Sequence, residues 1–435
     1  GFRPKRNTTR QLQRLLMAIE DASLTNSPIY VLYIDFVNAF GSVDHARMAS
    51  ILKLQGFPAD AIALVRDLYT NSNIIVSTPV GNTEPIDSAG RGTVQGDPLS
   101  PLLFILALDP LLRWLNEGDR GYHFSTSDEK LADLAYADDL AVIVRRFRDL
   151  VIQAAKVTEY CEWAGFRVNV DITRMNKTAW TGPISKNPSE QHVTIMGTEI
   201  PMLKPSETYI YLGMHVSLML QWHKNSKSIT TRVLAKLAAI RSMRQDPALI
   251  LRTMETVVRP MIRYIMPMAT LSWADVTRLN SAIWTTAKYI VGLSRHTSNM
   301  HIMRPRKELG MEIDPLHLTL ADTLRQTIET LRNSQEDLGR MWAGLWKAHT
   351  TGMAAIGLAA HADSARTAYP TFNAMAQLAD LDITWTNDDY TPPPTRPNSI
   401  LTAVEKAFKD LRADKKRTPH LRALNPLWVA GIHDM

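Results

Sequence analysis

An α+β fold is what this sequence predicts, and three observations predict it. Apolar, β-branched runs alternate with helical stretches through residues 1–215. Two of those runs carry carboxylates at one end, so the acids would ride on a sheet. From about residue 227 the pattern turns helical and basic.

Taken in order, Leu12, Leu15, Leu16 and Ile19 share one face and predict a helix over 8–22. Ile29-Tyr30-Val31-Leu32-Tyr33-Ile34-Asp35-Phe36 reads as a buried strand with Asp35 near its C-terminal end. Helices over 44–55 and 59–70 are separated by Gly56-Phe57-Pro58, and 72–89 suggests a hairpin. Three glycines and two prolines shape the loop from Gly90 to Pro101, where Asp97-Pro98 suits an N-cap and first helical position. Leu102, Leu103, Leu106, Leu108, Leu111, Leu112 and Leu115 follow on a helix too apolar to be exposed. Leu134 to Val144 reads as strand, tight turn, strand, with Asp138 and Asp139 at or near the tip. A helix over 149–164 and short strands at 166–170, 191–196 and 207–212 complete this part. Val233, Leu234, Leu237, Ala238, Ile240 and Met243 then mark an amphipathic helix that also carries Arg232, Lys236, Arg241 and Arg244. A second helix, 248–266, carries Arg252, Arg259 and Arg263. Residues 315–380 look helical, with Trp342 and Trp346 as core, before a stiff Pro-rich linker at 391–397 and a basic helix at 399–413 running into Lys415-Lys416-Arg417.

The chemistry concentrates in the carboxylates. Two adjacent like charges are costly unless something positive neutralises them. Mg²⁺ does so through one or two carboxylates plus substrate phosphates. With Asp35 brought beside Asp138, two ions could activate a hydroxyl and stabilise a leaving pyrophosphate. Taken alone, the pair also fits a solvated Asp-Asp turn and Asp35 a strand-end cap. The net charge of +6 and pI near 9.2 suit a polyanionic partner. One cysteine, Cys161, excludes a disulfide framework and a Cys-based zinc knuckle within the chain. No 18-residue apolar span is present, which argues against a membrane role.

Asp35-Phe36-Val37-Asn38-Ala39-Phe40, Gln95-Gly96-Asp97-Pro98-Leu99-Ser100-Pro101 and Tyr136-Ala137-Asp138-Asp139 occur in the order of polymerase motifs A, B and C. The chain resembles the reverse transcriptase of non-LTR, LINE-like retrotransposons over roughly residues 1–310. Gly1-Phe2-Arg3-Pro4 with Asn7-Thr8-Thr9 looks like the motif preceding A. Gly165-Phe166-Arg167-Val168-Asn169 with Lys177-Thr178 looks like motif D, and Tyr211-Leu212-Gly213 like the primer grip. The resemblance implies a right-hand palm over 31–215, partial fingers over 1–30, a helical thumb over 225–310 and a mostly helical extension over 311–435. It implies RNA-directed DNA synthesis on an RNA template from a DNA primer and dNTPs. Asp35, Asp138, Asp139 and the Phe36 carbonyl would hold two Mg²⁺ ions, with Mn²⁺ as a substitute. Phe40 would exclude a 2′-hydroxyl, Gln95 and Gly96 would line the nucleotide pocket, Arg3 and Arg6 would contact the triphosphate, and Lys177 would act near the pyrophosphate. Arg232, Lys236, Arg241 and Arg244 would grip the duplex.

Two departures stand out. The family usually has Asp where this chain has Gly41, which is not a metal ligand. The chain also opens inside the finger motifs, so an N-terminally truncated piece of a longer polyprotein is expected, with further element-encoded domains outside it. Two alternatives share the motifs: an RNA-dependent RNA polymerase, which Phe40 argues against, and an inactive RNA-binding remnant, which the intact acids argue against. No nuclease carboxylate–lysine constellation is found.

Overall fold

The structure is a computed structural model. It describes residues 6–350 apart from short stretches at 71–72, 88–89, 94–95, 171–177, 185–190, 222, 269–270, 272 and 304–310, and scattered positions between 312 and 335. The chain divides into two compact units, Gly1–Leu218 and Met219–Met435. The expected segments at 391–397, 399–413 and 415–417 lie outside the described residues, as do Arg3, Gln95 and Lys177.

The first unit is α+β. Helix α1 (Thr8–Leu24) starts where the Asn7 side chain accepts the Arg10 amide at 2.8 Å. Strand β1 (Tyr30–Ile34) follows, then a 3₁₀ turn at Phe40–Ser42. Next come α2 (His45–Leu54), capped by Asp44, and α3 (Ala59–Thr70). The expected hairpin at 72–89 is two nested antiparallel pairs, β2 (Asn73–Ile74) with β5 (Ile86–Asp87) and β3 (Ser77–Thr78) with β4 (Gly81–Asn82). Helix α4 (Ser100–Asn116) contains Pro110, which cannot bond the Leu106 carbonyl. The Gln55 side chain takes that carbonyl instead, at 3.3 Å. A short pair, β6 (Tyr122–His123) and β7 (Lys130–Leu131), leads to β8 (Asp133–Tyr136) and β9 (Asp139–Val144). Helix α5 (Phe147–Ala164) ends on Gly165, whose φ of 79° suits a left-handed cap. Strands β10 (Ala179–Thr181), β11 (Thr194–Ile195), β12 (Thr198–Glu199), β13 (Met202–Leu203), β14 (Tyr209–Tyr211) and β15 (Met214–Val216) finish the unit.

Five of these strands form the central sheet, in the order β13-β10-β1-β9-β8. All five β1 residues are buried, so this strand is covered on both faces. Tyr30, Leu32, Ile34 and Phe36 pack into one core with Phe104, Leu108 and Leu111 of α4 and Leu150, Val157 and Cys161 of α5. Val31 and Tyr33 on the opposite face are equally buried. The strand expected at 166–170 is a single bridge, Phe36 with Val168. The edge of β1 that would pair with it is already taken by β10, with Tyr33 opposite Ala179. Only the chain beyond Ile34 remains open to it.

The second unit is helical where described. It contains α6 (His223–Arg241), α7 (Pro247–Ile265) and α8 (Trp273–Ile290), then α9 (Met300–Met303) and α10 (Asp337–Thr350). Val233, Leu237 and Ile240 of α6 and Met254, Val258 and Ile262 of α7 are buried at helical spacing. Trp342 is buried, as expected. No described helix is long and apolar enough to cross a membrane.

Candidate active site

Three carboxylates converge at one end of the central sheet because of strand register. β1 and β9 pair antiparallel with Ile34 opposite Leu140. One step further along the ladder sets Asp35 beside Asp139. Tyr136 pairs with Asp139 across the hairpin, so Ala137 and Asp138 are its two-residue turn. Ala137 takes a φ of 55°. That left-handed backbone is costly for a residue with a Cβ, and such strain collects at functional sites. Asp138 at the tip is exposed and Asp35 half-buried.

The three acids crowd one another. Burial first, then the charges of Asp138 and Asp35, push the Asp139 carboxyl up to about 6. Asn169 fixes Asp35: its amide donates to the Asp35 carbonyl at 2.7 Å and its Nδ2 to Oδ2 at 3.0 Å. The Phe36–Val168 bridge is closed by bonds from the Val37 amide to the Arg167 carbonyl and from the Asn169 amide to the Asp35 carbonyl. The Phe36 carbonyl accepts neither.

Among the described residues, no three His, Cys, Asp or Glu side chains form a cluster that would hold a metal unaided. The donor chemistry still fits a hard divalent cation. Mg²⁺ is held by one or two carboxylates with phosphate oxygens completing its shell. Crowded carboxylates, one of them with its pKa raised, are what such a cation would relieve.

Motif A meets the loop before motif B and the helix after it at Phe40. The Thr93 amide donates to the Phe40 carbonyl at 2.9 Å, and the Phe40 ring stacks on Phe104 with centroids 4.5 Å apart. The ring is only half-buried. Gly92, at φ +87°, would place a Cβ 3.2 Å from the Gly41 Cα and carbonyl oxygen, so the two backbones need glycines to approach. A Cβ at Gly41 would collide with the Asn38 side chain, which occupies the space an aspartate would use. Gly96 is exposed, with φ +95°. Asp97 accepts the Tyr69 hydroxyl at 2.6 Å and the Leu99 amide at 3.0 Å, and these bonds hold its carboxyl below the usual range. The expected N-cap is corrected: α4 begins at Ser100 with Leu99 at its N-cap position, and Asp97 instead closes the turn just before the helix through the Leu99 amide. Arg6 lies exposed just before α1.

The segment Tyr211-Leu212-Gly213 is the turn of the β14–β15 hairpin, with Leu212 and Gly213 at φ 47° and 80°. Positive φ at both turn residues is the type I′ pattern. Tyr209 stacks on Tyr33 at 4.1 Å and 4°, and the Tyr211 hydroxyl donates to the Leu134 carbonyl at 3.0 Å. The hairpin therefore braces β1 and β8, the strands leading to Asp35 and Asp138. Neither Tyr33 nor Tyr209 stood out from sequence, because their contact spans 176 positions and neither lies in a polar motif. Asn169 carried a signal, its place within Gly165–Asn169.

The basic stripe expected on α6 is corrected. Arg232 and Lys236 are exposed and four residues apart, so they share a face. Arg241 is nine residues from Arg232, which at 100° per residue is about 180° around the helix. Its guanidinium lies 4.5 Å from the ring centroid of Tyr289 on α8. Helix α6 ends at Arg241, so Arg244 lies beyond it.

Residues 1–216 match the family described as reverse transcriptase (RNA-dependent DNA polymerase). They belong to that family. The motif resemblance is borne out, and relatives point the same way. The chain is 24% identical over 328 residues to the retrovirus-related Pol polyprotein from type-1 retrotransposable element R2 of Nasonia vitripennis, covering 75% of this chain and 31% of that protein. It is 28% identical over 193 residues to the corresponding polyprotein from type-2 retrotransposable element R2DM of Drosophila melanogaster, covering 43% of this chain and 17% of that protein. The chain thus spans less than a third of either relative. A solved telomerase from Candida albicans covers 75% of this chain and 57% of its own, with 11% identity and a TM-score of 0.29.

Proposed function

We propose that this chain is the polymerase portion of a retrotransposon reverse transcriptase and catalyses RNA-directed DNA synthesis. The observation that carries the reading is the convergence of Asp35, Asp138 and Asp139 at one sheet end, in a unit of reverse transcriptase family membership. On this reading residues 31–215 act as the palm, 225–310 as the thumb, and an RNA template, a DNA primer and dNTPs are the partners.

Asp35, Asp138 and the Phe36 carbonyl would hold two Mg²⁺ ions, and Asp139 would support them electrostatically. The bound ions would supply Lewis acidity toward the primer 3′-hydroxyl and the leaving pyrophosphate. The chain's own residues do the positioning. Asn169 orients the Asp35 carboxylate. Phe40, held against Phe104, would meet a sugar 2′-hydroxyl and exclude it. Gly96 would line the nucleotide pocket beside it. Positioning and charge neutralisation supply most of the barrier reduction in such transfers. Phe40 favours dNTP over NTP and so disfavours the RNA polymerase alternative.

Primer extension on poly(rA)/oligo(dT), comparing dTTP with UTP, tests this. The parent should extend with dTTP and reject UTP. Asp138→Asn should lower extension by orders of magnitude without changing the melting temperature by more than a few degrees. Near-normal extension by folded Asp138→Asn would sink the two-metal assignment.

A further inference from the structure

We infer that the groove between α6 and α8 is a second nucleic-acid site, one that takes a single-stranded phosphodiester segment. It is distinct from the α6 face that carries Arg232 and Lys236. The inference rests on the polymerase reading above and adds a partner to it.

Charge comes first. Residues 219–290 carry eleven Lys and Arg against three Asp and Glu, a net charge of +8, whereas the whole chain carries +6. Polyanion affinity is therefore concentrated in these three helices. Within them the cations point in opposed directions. Arg232 and Lys236 occupy one face of α6, and Arg241 lies about half a turn away around it. A helix with its side chains is about 10–12 Å thick. One rigid duplex cannot lie against both sides of it, so Arg241 serves a different segment.

The surroundings of Arg241 say what kind. It lines a groove of about 290 Å³ with Leu234 and Ala238 of α6 and Ser281 and Thr285 of α8. That volume is at the small end of ligand pockets, about 300–1,000 Å³. It admits a nucleotide-sized unit and is far too small for a duplex. The guanidinium lies over the Tyr289 ring, 4.5 Å from its centroid, a cation–π contact that restrains it beside the groove while a guanidinium carries five N–H donors suited to phosphate. Ser281 and Thr285, one turn apart, add hydroxyls that can donate to phosphate oxygens, while Leu234 and Ala238 offer an apolar wall to a sugar. The Tyr289 ring is 56% exposed. An exposed ring beside a fixed cation is a platform for an unpaired base, which a single strand can offer and a duplex keeps stacked inside.

The test uses the full chain and two probes, a labelled single-stranded RNA and a poly(rA)/oligo(dT) hybrid, each titrated at several salt concentrations. Arg241→Gln should weaken RNA binding about fivefold and reduce its log–log salt slope by about 0.7, while hybrid affinity stays within twofold. Arg241→Lys should keep the parental slope. Tyr289→Leu should weaken RNA binding with no change of slope, because it removes stacking and no charge. Arg232→Gln with Lys236→Gln should do the reverse, reducing the hybrid slope by about 1–2 and sparing RNA. Thermal melts confirm folding of each variant. Equal loss of both probes in Arg241→Gln, or loss of neither, overturns the second site. Failure of the parent to extend a primer would instead overturn the polymerase reading, and the RNA arm would still decide about the groove.

Discussion

At the residue scale, the informative side chains are those held in conditions they would not choose. Asp139 is the clearest. Its folded pKa of about 6 lies above the usual carboxylate value. The folded protein therefore binds more protons here than the unfolded chain between about pH 4 and 6, and this carboxyl costs stability as pH rises through that window. Asp139→Asn should raise the melting temperature of the metal-free protein above pH 6, and the gain should shrink as pH falls and vanish below about pH 3, where the parent is protonated in both states. A gain independent of pH would mean that Asp139 is not the group titrating. Phe40 is the second such residue. Its ring is half-buried against Phe104, so Phe40→Val should open space and raise ribonucleotide use relative to dNTP by tenfold or more, a loss of at least about 1.4 kcal/mol in discrimination. Unchanged UTP rejection in a folded variant would make Phe40 ordinary core. Asp35, Asp138 and Asp139 were legible in sequence because acids are conspicuous beside apolar β-runs. Arg241 was misread there: Arg232, Lys236, Arg241 and Arg244 look like one stripe until the angle accumulated over nine residues is counted.

At the element scale, the site is assembled by braces that join segments distant in sequence. The helices and the acidic hairpin could be read from periodicity, since each signal is local. Partnerships could not. Nothing local says that Gln55 covers the carbonyl freed by Pro110, or that 166–170 forms one bridge because β10 already occupies the edge of β1. The β14–β15 hairpin is the brace closest to the chemistry. Burial, then the charges of Asp35 and Asp139, keep the Tyr209 phenol well above its usual range, so it remains neutral against Tyr33. Tyr209→Leu loses the parallel stack and should cost about 2 kcal/mol of stability. Because the stack supports β1 just before Asp35, kcat should fall more than KM for dNTP rises. Tyr209→Phe keeps the ring and should restore most of kcat. A loss shared equally by Phe and Leu would assign the role to the hydroxyl and remove the brace.

At the scale of the whole molecule, charge is divided between the units. Residues 1–218 carry 21 Lys and Arg against 24 Asp and Glu, a net −3, while 219–290 carry +8. The catalytic unit alone would repel a phosphate backbone, and most strongly at its cluster of acids. On the proposed function, hybrid affinity comes from the helical unit, and the divalent cation is needed to seat the primer end, not to hold the duplex. Hybrid binding should therefore survive chelation of divalent ions while extension is abolished. Under the same metal-free conditions, Asp35→Asn combined with Asp138→Asn removes two negative charges facing the primer terminus. Screened by water and salt, each such repulsion is worth roughly 0.3–0.7 kcal/mol. The double variant should then bind the hybrid roughly threefold to tenfold tighter than the parent in chelator, and lose that advantage when Mg²⁺ is restored, because only the parent gains from the ion. If chelation instead abolishes parental binding at constant ionic strength, the cation holds the duplex itself, and the excess of positive charge in α6–α8 has another purpose.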